Sequence, residues 1–347
     1  MRSTCLLLFI FSVATSTSFS QQQRFKIATV AFYNLENLFD TQDDPLTYDN
    51  DRTPEGKDRW TEAKYRMKIK NMAAVICDID RDETGTPPTI IGVCEIENRK
   101  VLEDLLNDDS MYKYNYGIIH FESPDRRGID VGLLYRKGLF TPTNASKAAL
   151  LLFNKEYPYS RIYTRDQLVV SGMLDGEMIH FIINHWPSRS GGELVSKPKR
   201  IKAAQLNRRL VDSIFSIDPY AKIISMGDFN DDPNSESIKT ILNPVALRDT
   251  TAIKSLYNPM EGIFRKGEGS LAWRDRWNLF DQLIISTEFL KRDFSSYRFF
   301  KAGIYKKELL ITASGPYKGY PFRSYNKQQY TGGYSDHFPV YLFLIKK

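Results

Sequence analysis

The sequence predicts a single α/β domain rich in β-structure. Three observations support this prediction: apolar runs typical of buried strands recur along the chain, a few segments with helical spacing separate them, and no linker or repeat interrupts residues 21–347. With 347 residues, 42% hydrophobic and 26% charged, the composition is that of an ordinary globular protein. We therefore expect one sheet-rich domain rather than several linked ones.

The first twenty residues have the features of an export signal. Arg2 supplies a positive charge, residues 5–14 are apolar, and small residues precede the polar run that begins at Gln21. This apolar run is shorter than the roughly 20 residues of a membrane span, and no later segment is apolar enough for one. We expect residues 1–20 to be a signal peptide and the mature protein to be periplasmic or extracellular. A buried N-terminal strand is the alternative.

Charge and cysteine content place few limits on function. The formal net charge of +6 permits a polyanionic substrate without requiring one. After export, Cys77 and Cys94 would remain, and they either pair or stay as small buried thiols. The four histidines are too scattered for a zinc motif.

Strands and helices alternate in the first half of the chain. Residues 25–34 are rich in β-branched and aromatic side chains and predict a first strand, whereas residues 43–59 carry two prolines and many charges and predict a surface loop. Helical spacing follows at 61–77. Residues 89–94 form a continuous apolar run typical of a strand buried on both faces, and residues 130–136 predict another strand.

A hairpin and a basic helix are predicted in the second half. Residues 168–174 and 178–185 flank Asp175-Gly176, which is a strong hairpin signal. Residues 199–213 have helical spacing with Lys and Arg on one face. Further strands are predicted at 221–226, 282–286 and 338–345.

Four carboxylates follow or end these strands, where an unpaired buried charge would cost several kcal/mol. They are Glu36, Glu95, Asp228 and Asp336. A hard divalent cation would remove that cost, and magnesium prefers one or two carboxylates together with water and phosphate oxygens. Glu36 and Glu95 could therefore hold one ion with support from Asn34. For any single acid, a structural hydrogen bond or salt bridge is the alternative.

A second pattern predicts an activated water. His337 begins one apolar strand, and Asp281 precedes another. If those strands are neighbours, Asp281 accepts a hydrogen bond from one ring nitrogen of His337 and leaves the other free to take a proton from water. A core histidine bonded to a backbone carbonyl is the alternative. His120 and His180 have no neighbouring motif and are expected to be structural.

Phosphate-binding features lie in the segment 184–192 and on the basic helix. His185, Arg189 and a Gly-Gly pair suit a phosphate, with a well-packed turn as the alternative. A nucleic-acid backbone would suit the basic face, and tryptophans would suit stacking, with solvated charge and core aromatics as alternatives. The residues are Lys197, Lys199, Arg200, Lys202, Arg208 and Arg209 for charge, and Trp186, Trp273 and Trp277 for stacking.

These motifs, in this order, resemble the endonuclease/exonuclease/phosphatase superfamily over roughly residues 25–345. They are Asn34-Leu35-Glu36, Cys94-Glu95, the strand 130–136, Asn184-His185, Gly227-Asp228-Phe229-Asn230, Phe280-Asp281-Gln282 and Ser335-Asp336-His337. The segment 32–40 and the His-Trp-Pro-Ser-Arg loop further resemble secreted bacterial members of that superfamily, which are usually described as extracellular or membrane-associated nucleases.

The resemblance implies a four-layer sandwich in which two mixed β-sheets pack face to face between helices. It also implies magnesium-dependent hydrolysis of phosphoesters, with Mn²⁺ or Ca²⁺ as alternative ions. By motif, the metal group comprises Asn34, Glu36, Glu95 and, at a second position, Asp336, and the catalytic group comprises His185, Asp228, Asn230, Asp281 and His337. Arg189 would contact the substrate phosphate.

Two departures narrow the resemblance. Glu36 stands where apurinic-site endonucleases carry Asp, and His185 stands where they carry an amide, so the chain resembles the deoxyribonuclease and sphingomyelinase branches more closely. We expect a monomeric nuclease that cleaves DNA or RNA by in-line attack of water, with either the His337/Asp281 pair or Asp228 as general base. A phosphatase or phospholipase acting on a phospholipid or sugar phosphate is the alternative, and a noncatalytic binding protein is a third.

Overall fold

The computed structural model describes residues 25–79, 81–154, 156–246, 253–326 and 328–347. The predicted signal peptide lies outside the described residues. The strands of the two large sheets are β1 (Lys26–Leu38), β2 (Ile90–Ile96), β3 (Tyr116–His120), β4 (Asp130–Arg136), β5 (Phe140–Ala148), β6 (Gln167–Leu174), β7 (Glu177–His185), β8 (Lys222–Asp228), β9 (Leu256–Tyr257), β10 (Asp281–Ser286), β11 (Arg298–Ile304) and β12 (Val340–Lys346). The α-helices are α1 (Glu62–Asp78), α2 (Arg81–Thr84), α3 (Arg99–Leu106), α4 (Glu193–Ile217) and α5 (Met260–Phe264).

Smaller elements connect these strands and helices. Two-stranded pairs join Leu152–Phe153 to Arg161–Ile162, Leu271–Trp273 to Arg276–Asn278, and Tyr325–Asn326 to Gln329–Tyr330. Turns of 3-10 helix occur at Asn50–Arg52, Tyr112–Tyr114, Thr287–Leu290 and Glu308–Leu310, and Ser237–Leu242 is π-helical.

Each large sheet has six strands and is mixed. The first has the order β11-β12-β1-β2-β4-β3, and the second has the order β9-β10-β8-β7-β6-β5. The pairs β1/β2 and β7/β8 are parallel, and the other adjacent pairs are antiparallel. Because the carboxyl ends of parallel strands meet at one edge of a sheet, each sheet gathers the residues that follow two strands.

Alternation along β1 separates two cores. Val30 and Phe32 face the second sheet and pack in one cluster with Phe181 of β7. Tyr33 and Leu35 belong to a different cluster, formed with the side chains of α1 and α3. A third cluster joins α4 to the outer face of the second sheet. The layers therefore follow the order helix, sheet, sheet, helix, which confirms the predicted sandwich.

Most of the predicted elements are present, with extended bounds. The first strand continues to Leu38 through a bulge, and the helix predicted at 199–213 begins at Glu193, with Pro198 inside it. The sequence pattern did not indicate the strands β3, β5, β9 and β11 or the helices α2, α3 and α5. The four missed strands are the edges of the two sheets and have partly or fully exposed residues, so they lack the apolar runs of central strands.

Two further expectations concern the thiols and the membrane. Cys77 and Cys94 are both buried and free, so they do not form a disulfide. Among the helices of the described residues, none is long and apolar enough to cross a bilayer.

Candidate active site

Three adjacent strands of the second sheet bring His185, Asp228 and Asp281 into one row. Asp228 in β8 is the register partner of His185 in β7 on one side and of Asp281 in β10 on the other. All three are buried. Asn34 of the first sheet joins them, because its Nδ2 donates to Asp228 Oδ2 at 3.2 Å. The two sheets therefore meet in a group of polar side chains at one end of the sandwich.

The approach of β7 to β8 requires glycine at position 227. A Cβ on Gly227 would lie 2.2 Å from the backbone oxygen of Asn184, and the residue has φ +158°. Asn184 itself is an anchor rather than an exposed polar group: its amide donates to Ser225 Oγ at 3.1 Å, and its Oδ1 accepts from Asn207 Nδ2 at 2.9 Å. These contacts hold the end of β7 and hence the backbone of His185.

His337 and Asp281 form the predicted pair, but across the two sheets rather than within one. Asp281 begins β10 of the second sheet, whereas His337 precedes β12 of the first. His337 Nδ1 lies 2.6 Å from Asp281 Oδ2, and Ser270 Oγ donates to the same oxygen at 2.5 Å. Burial alone would lower the pKa of His337, but the carboxylates of Asp281 and Asp228 outweigh it and hold this pKa well above its ordinary value.

The ring nitrogens of both histidines point at Asp228. Asp228 Oδ2 lies 3.8 Å from His185 Nε2 and 4.0 Å from His337 Nε2. Burial raises the pKa of Asp228 to about 7, with a further contribution from the charge of Asp281. Burial and the neighbouring Arg165 guanidinium lower the pKa of His185 well below its ordinary value. The pKa values of the two imidazoles on either side of Asp228 are therefore shifted in opposite directions.

Glu95 lies at the mouth of this group. Its Oε2 accepts a hydrogen bond from the backbone N–H of Asn37 at 3.0 Å, and its Oε1 lies 3.7 Å from His185 Nε2. The backbone around it is irregular, since Glu36, Asn37 and Glu95 all have φ between +46° and +57°. Such conformations cost about 1–3 kcal/mol each for residues other than glycine, and they concentrate where β1 and β2 end.

The donor set suits a hard divalent cation. Asp281 Oδ1 is buried and has no hydrogen-bond partner among the described residues. Ligand atoms of Asp228, Asp281 and His337 lie within 4.8 Å of one another, and Glu95 adds a further carboxylate beside His185. Several carboxylates close together in a buried site are costly without a cation, and oxygen ligands are those that magnesium prefers.

Glu36 and Asp336 are already neutralised by protein cations. Glu36 Oε2 accepts from the backbone N–H of Ser324 at 2.7 Å and lies 3.8 Å from Lys68 Nζ. The Arg323 guanidinium bridges Glu36 at 3.3 Å and Asp336 at 3.1 Å. Burial and the Asp336 charge nevertheless raise the pKa of Glu36 to about 7. Metal binding by Glu36 and Asp336 stays a prediction.

Asn230 and Arg189 are joined to each other. The Asn230 amide donates to the carbonyl of Trp186 at 3.0 Å, and Arg189 Nε donates to the carbonyl of Asn230 at 3.0 Å. The Arg189 guanidinium also bonds Asp231 at 3.2 Å and Asp232 at 3.4 Å. In this arrangement Arg189 supports the loop that carries Asn230, and its predicted contact with a substrate phosphate stays a prediction.

Three cations near the site, Lys68, Arg165 and Arg323, were not predicted from the sequence. Arg165 is buried and donates to Asp125 at 3.0 Å and to the Trp186 carbonyl at 2.7 Å. Lys68 is also buried, and its burial could have been predicted, because it falls on the apolar face of α1 between Tyr65 and Met72. For the buried Arg165 and the exposed Arg323, no local pattern indicates a position beside the site.

The predicted basic face of α4 is not continuous. Arg200 is fully buried and pairs with Asp231 at 2.7 Å, so the expectation that it faces solvent is wrong. Lys197 and Arg208 pair with nearby acids. The tryptophans also separate: Trp186 is a core residue packed edge-on against Phe229, Trp277 stacks on Phe338, and Trp273 is 64% exposed.

A buried Asp–His pair, a second histidine and several carboxylates at one end of a four-layer sandwich define a phosphoesterase site. The sequence model of the endonuclease/exonuclease/phosphatase family matches residues 29–346, and the chain belongs to this family. Among curated protein sequences, none matches this chain.

Solved structures with a similar fold include two proteins of Bacteroides thetaiotaomicron. One is an endonuclease/exonuclease/phosphatase family protein with 14% identity and a TM-score of 0.54, covering 93% of this chain and 99% of its own. The other is a mannosyl-6-phosphatase with 16% identity and a TM-score of 0.54, covering 91% and 99%. D. rerio TDP2 complexed with a single-strand DNA product has 13% identity and a TM-score of 0.53, covering 92% and 98%. At these identities the likeness concerns the fold alone.

Proposed function

We propose that this chain is an exported, magnesium-dependent nuclease whose mature domain comprises residues 21–347 and cleaves DNA or RNA phosphodiesters. The N-terminal pattern supports export, and the oxygen-rich donor set supports magnesium. One similar structure, that of D. rerio TDP2, contains a single-strand DNA product.

The observation that carries the nuclease proposal is an exposed hairpin beside the Asp–His pair. Ser270, which donates to Asp281, is followed directly by the strands Leu271–Trp273 and Arg276–Asn278. Trp273 is solvent-exposed, and the Arg274 guanidinium lies 5.7 Å from its ring centroid. An exposed indole with adjacent cations is a surface on which a base stacks while its phosphates are neutralised.

A second aromatic group with cations lies on the side of His185. The ring of Tyr163 lies 4.9 Å from the Arg161 guanidinium and 5.9 Å from that of Arg126. Arg127, which follows Arg126 in the sequence, is close enough to His185 for its charge to lower the pKa of that histidine. A polynucleotide extends beyond the phosphate that is cleaved, and these two groups supply contacts for its neighbouring nucleotides.

The chain's own residues would divide the reaction as follows. A divalent cation held by Glu95, with Asn34 and Glu36 beside it, would neutralise negative charge on the phosphoryl oxygens. His185 and Asn230 would stabilise the developing charge, which is typically worth about 10²–10³ in rate per donor. Either Asp228 or the His337/Asp281 pair would accept the proton of the attacking water.

A sugar phosphatase is the second candidate, and one cavity favours it. A cavity of about 260 Å³ beside Glu36 is lined by polar and aromatic side chains, among them Arg52, Trp60, Arg323 and Tyr325. Two guanidiniums suit a phosphate, and an aromatic wall suits a sugar ring. A similar structure is that of a mannosyl-6-phosphatase.

A comparison of substrates distinguishes the nuclease from the sugar phosphatase. Purified protein is incubated with plasmid DNA, RNA, mannose 6-phosphate and sphingomyelin, with and without EDTA. The nuclease proposal expects EDTA-sensitive cleavage of nucleic acid. If only the sugar phosphate or the lipid is cleaved, the nuclease proposal is wrong. His337→Ala is expected to abolish turnover of every substrate while leaving the circular dichroism spectrum unchanged.

Trp273→Ala tests whether the exposed hairpin beside the Asp–His pair binds a nucleotide base. Loss of one stacked base is worth about 1–3 kcal/mol, so KM for an oligonucleotide should rise about five-fold or more. Turnover of bis-p-nitrophenyl phosphate, which has no base to stack, should stay unchanged. Tyr112→Ala removes another exposed aromatic ring and serves as the matched control.

A further inference from the structure

A cleft of about 870 Å³ lies between α4 and residues 149–154 and 156–162, which we call the arm. The inner side of the arm packs on α4 as part of the third core cluster. Its outer side and the first turn of α4 expose apolar side chains: Leu151 and Phe153 are about half exposed, and Leu194 is 90% exposed. Contiguous exposed apolar surface of this kind marks an interaction site.

Three cations that have no ion pair among the described residues border the same cleft. They are Lys199, Lys202 and Arg209, all on α4. Within the part of the chain that the structure describes, none of the three forms an ion pair, in contrast to Lys197 and Arg208 of the same helix. One acid, Glu156, lies at the rim. The cleft therefore combines an apolar wall with a net positive border, which is the complement of an anionic amphiphile.

We propose that the arm and the cleft bind the surface of a membrane that contains anionic phospholipids. The apolar side chains would insert among acyl chains while the three cations contact headgroup phosphates. The exposed Tyr157 and Tyr159 of the arm suit the interface between headgroups and chains, where tyrosine is enriched. This binding is independent of which phosphoester the active site cleaves.

Two other occupants fit the observations less well. A single-stranded nucleic acid stacks its bases on aromatic rings, whereas much of the exposed rim is aliphatic, with Leu151, Leu194 and Val195. A second copy of the chain in a two-fold contact would bring the same positively charged border to both sides of the interface, and like charges repel. A bilayer supplies both aliphatic chains and phosphates side by side.

The position of the cleft relates it to the active site. Leu194 and Val195 belong to the first turn of α4, which follows directly on the loop that carries Arg189. Arg189 in turn donates to the carbonyl of Asn230. A membrane bound at the cleft would therefore hold the active-site end of α4 near the lipid surface.

Vesicle co-sedimentation tests the proposal. The purified protein is mixed with vesicles of phosphatidylcholine alone or of phosphatidylcholine with about one quarter phosphatidylglycerol. We expect binding to the anionic vesicles that weakens with added salt. The double variants Leu151→Ser/Phe153→Ser and Lys202→Glu/Arg209→Glu should each bind about tenfold more weakly or worse, since both insertion and charge contribute.

Matched controls and other measurements keep the test decisive. Leu46→Ser and Lys70→Glu alter an exposed apolar and an exposed basic residue elsewhere and should bind like the unchanged protein. Circular dichroism should be the same for all variants, and turnover of bis-p-nitrophenyl phosphate should be the same for the apolar double variant and the two controls. Equal binding to both vesicle types, or full binding by either double variant, overturns the proposal. Absence of vesicle binding also overturns the proposal. In that case, loss of oligonucleotide affinity in the charge variant would indicate a nucleic-acid site, and loss of self-association in the apolar variant would indicate a contact between two copies of the chain.

Discussion

Asp281 Oδ2 lies 2.6 Å from His337 Nδ1, although Asp281 begins a strand of the second sheet and His337 precedes a strand of the first. The pair therefore exists only when the two sheets are packed. The other carboxylate oxygen of Asp281, Oδ1, is buried and has no hydrogen-bond partner among the described residues. Both facts make Asp281 the residue whose replacement is most informative about the site.

Asp281→Asn should lower the pKa of His337. The Asp281 carboxylate holds this pKa well above its ordinary value, so its removal leaves burial to act in the opposite direction. Imidazole proton chemical shifts, followed against pH in EDTA, should show His337 of the variant titrating at lower pH than in the unchanged protein. An unchanged titration would contradict the assignment.

The same variant also reports on the reaction. General acid or base catalysis contributes about 10²–10⁴ in rate, and we expect a loss in that range. If the neutral His337 ring is the base, the acidic limb of the rate profile should move to lower pH together with the pKa. If Asp228 is the base, the limb follows the pKa of Asp228. The lost Asp281 charge lowers that pKa and the weaker His337 charge raises it, so the limb should shift less than the pKa of His337.

Glu95→Gln should weaken binding of the divalent cation by about a hundredfold or more, since it removes a charged ligand where even supporting groups are worth 10–100-fold. Manganese binding followed by electron paramagnetic resonance measures this without relying on turnover. Glu103→Gln changes a surface carboxylate paired with Arg99 and is the control. Equal manganese affinity for both variants would rule out Glu95 as a ligand.

Gly227→Ala should destabilise the fold by about 2–4 kcal/mol or prevent folding, because the new Cβ meets the Asn184 carbonyl at 2.2 Å. Gly262 in α5 is the matched case: a Cβ there meets nothing within 4 Å. Gly262→Ala should therefore be neutral or stabilise by about 0.5–1 kcal/mol. Urea denaturation of the two variants should move the midpoint in opposite directions or leave only Gly262→Ala unchanged.

Glu177→Gln should reduce stability at neutral pH by about 1–3 kcal/mol. At the end of the sandwich opposite the active site, Glu177 bonds Lys222 at 2.8 Å in the second sheet and Lys346 at 3.0 Å in the first. Burial alone would raise the pKa of Glu177, but the hydrogen bonds from Lys222 and the Tyr297 N–H outweigh it and lower this pKa.

The sign of the pH dependence follows from that direction. A carboxyl with a depressed pKa stabilises the fold above its unfolded value of about 4.3, and this stability is lost as the pH falls through the folded pKa. The gap in unfolding free energy between Glu177→Gln and the unchanged protein should therefore be largest near pH 7 and shrink in acid. Glu55→Gln, at an exposed position, should show no such gap at any pH.

The local pattern of the sequence was sufficient for elements with a strong apolar signal. The runs ending near Asn34, Cys94 and Met226 predict central strands because both faces of such strands are buried, and the structure places them at β1, β2 and β8. The helix α4 was predicted to start at Lys199 but starts at Glu193, and it contains Pro198, a residue that normally ends or kinks a helix. Edge strands such as β5 and β11 escaped because exposed strands carry no distinctive pattern.

The candidate site shows the same division. Its carboxylates and histidines could be predicted from the sequence, because burying such groups after apolar runs costs free energy unless they have partners. The partners of these groups could not be predicted from the sequence. Arg323 lies 287 residues from Glu36 in sequence and bridges it to Asp336, and Arg165 approaches His185 from the loop before β6.

By itself, the sequence determined the central strands and the two long helices, the family to which the chain belongs and the groups available for catalysis. Only the tertiary structure decided which carboxylates face a protein cation and which face each other. It also decided that His337 meets Asp281 across the sheets, and that three of the lysine and arginine residues of α4 border an apolar cleft. The physical reason is that periodicity and residue type are local properties, whereas Coulomb and hydrogen-bond energies depend on distances that only packing creates.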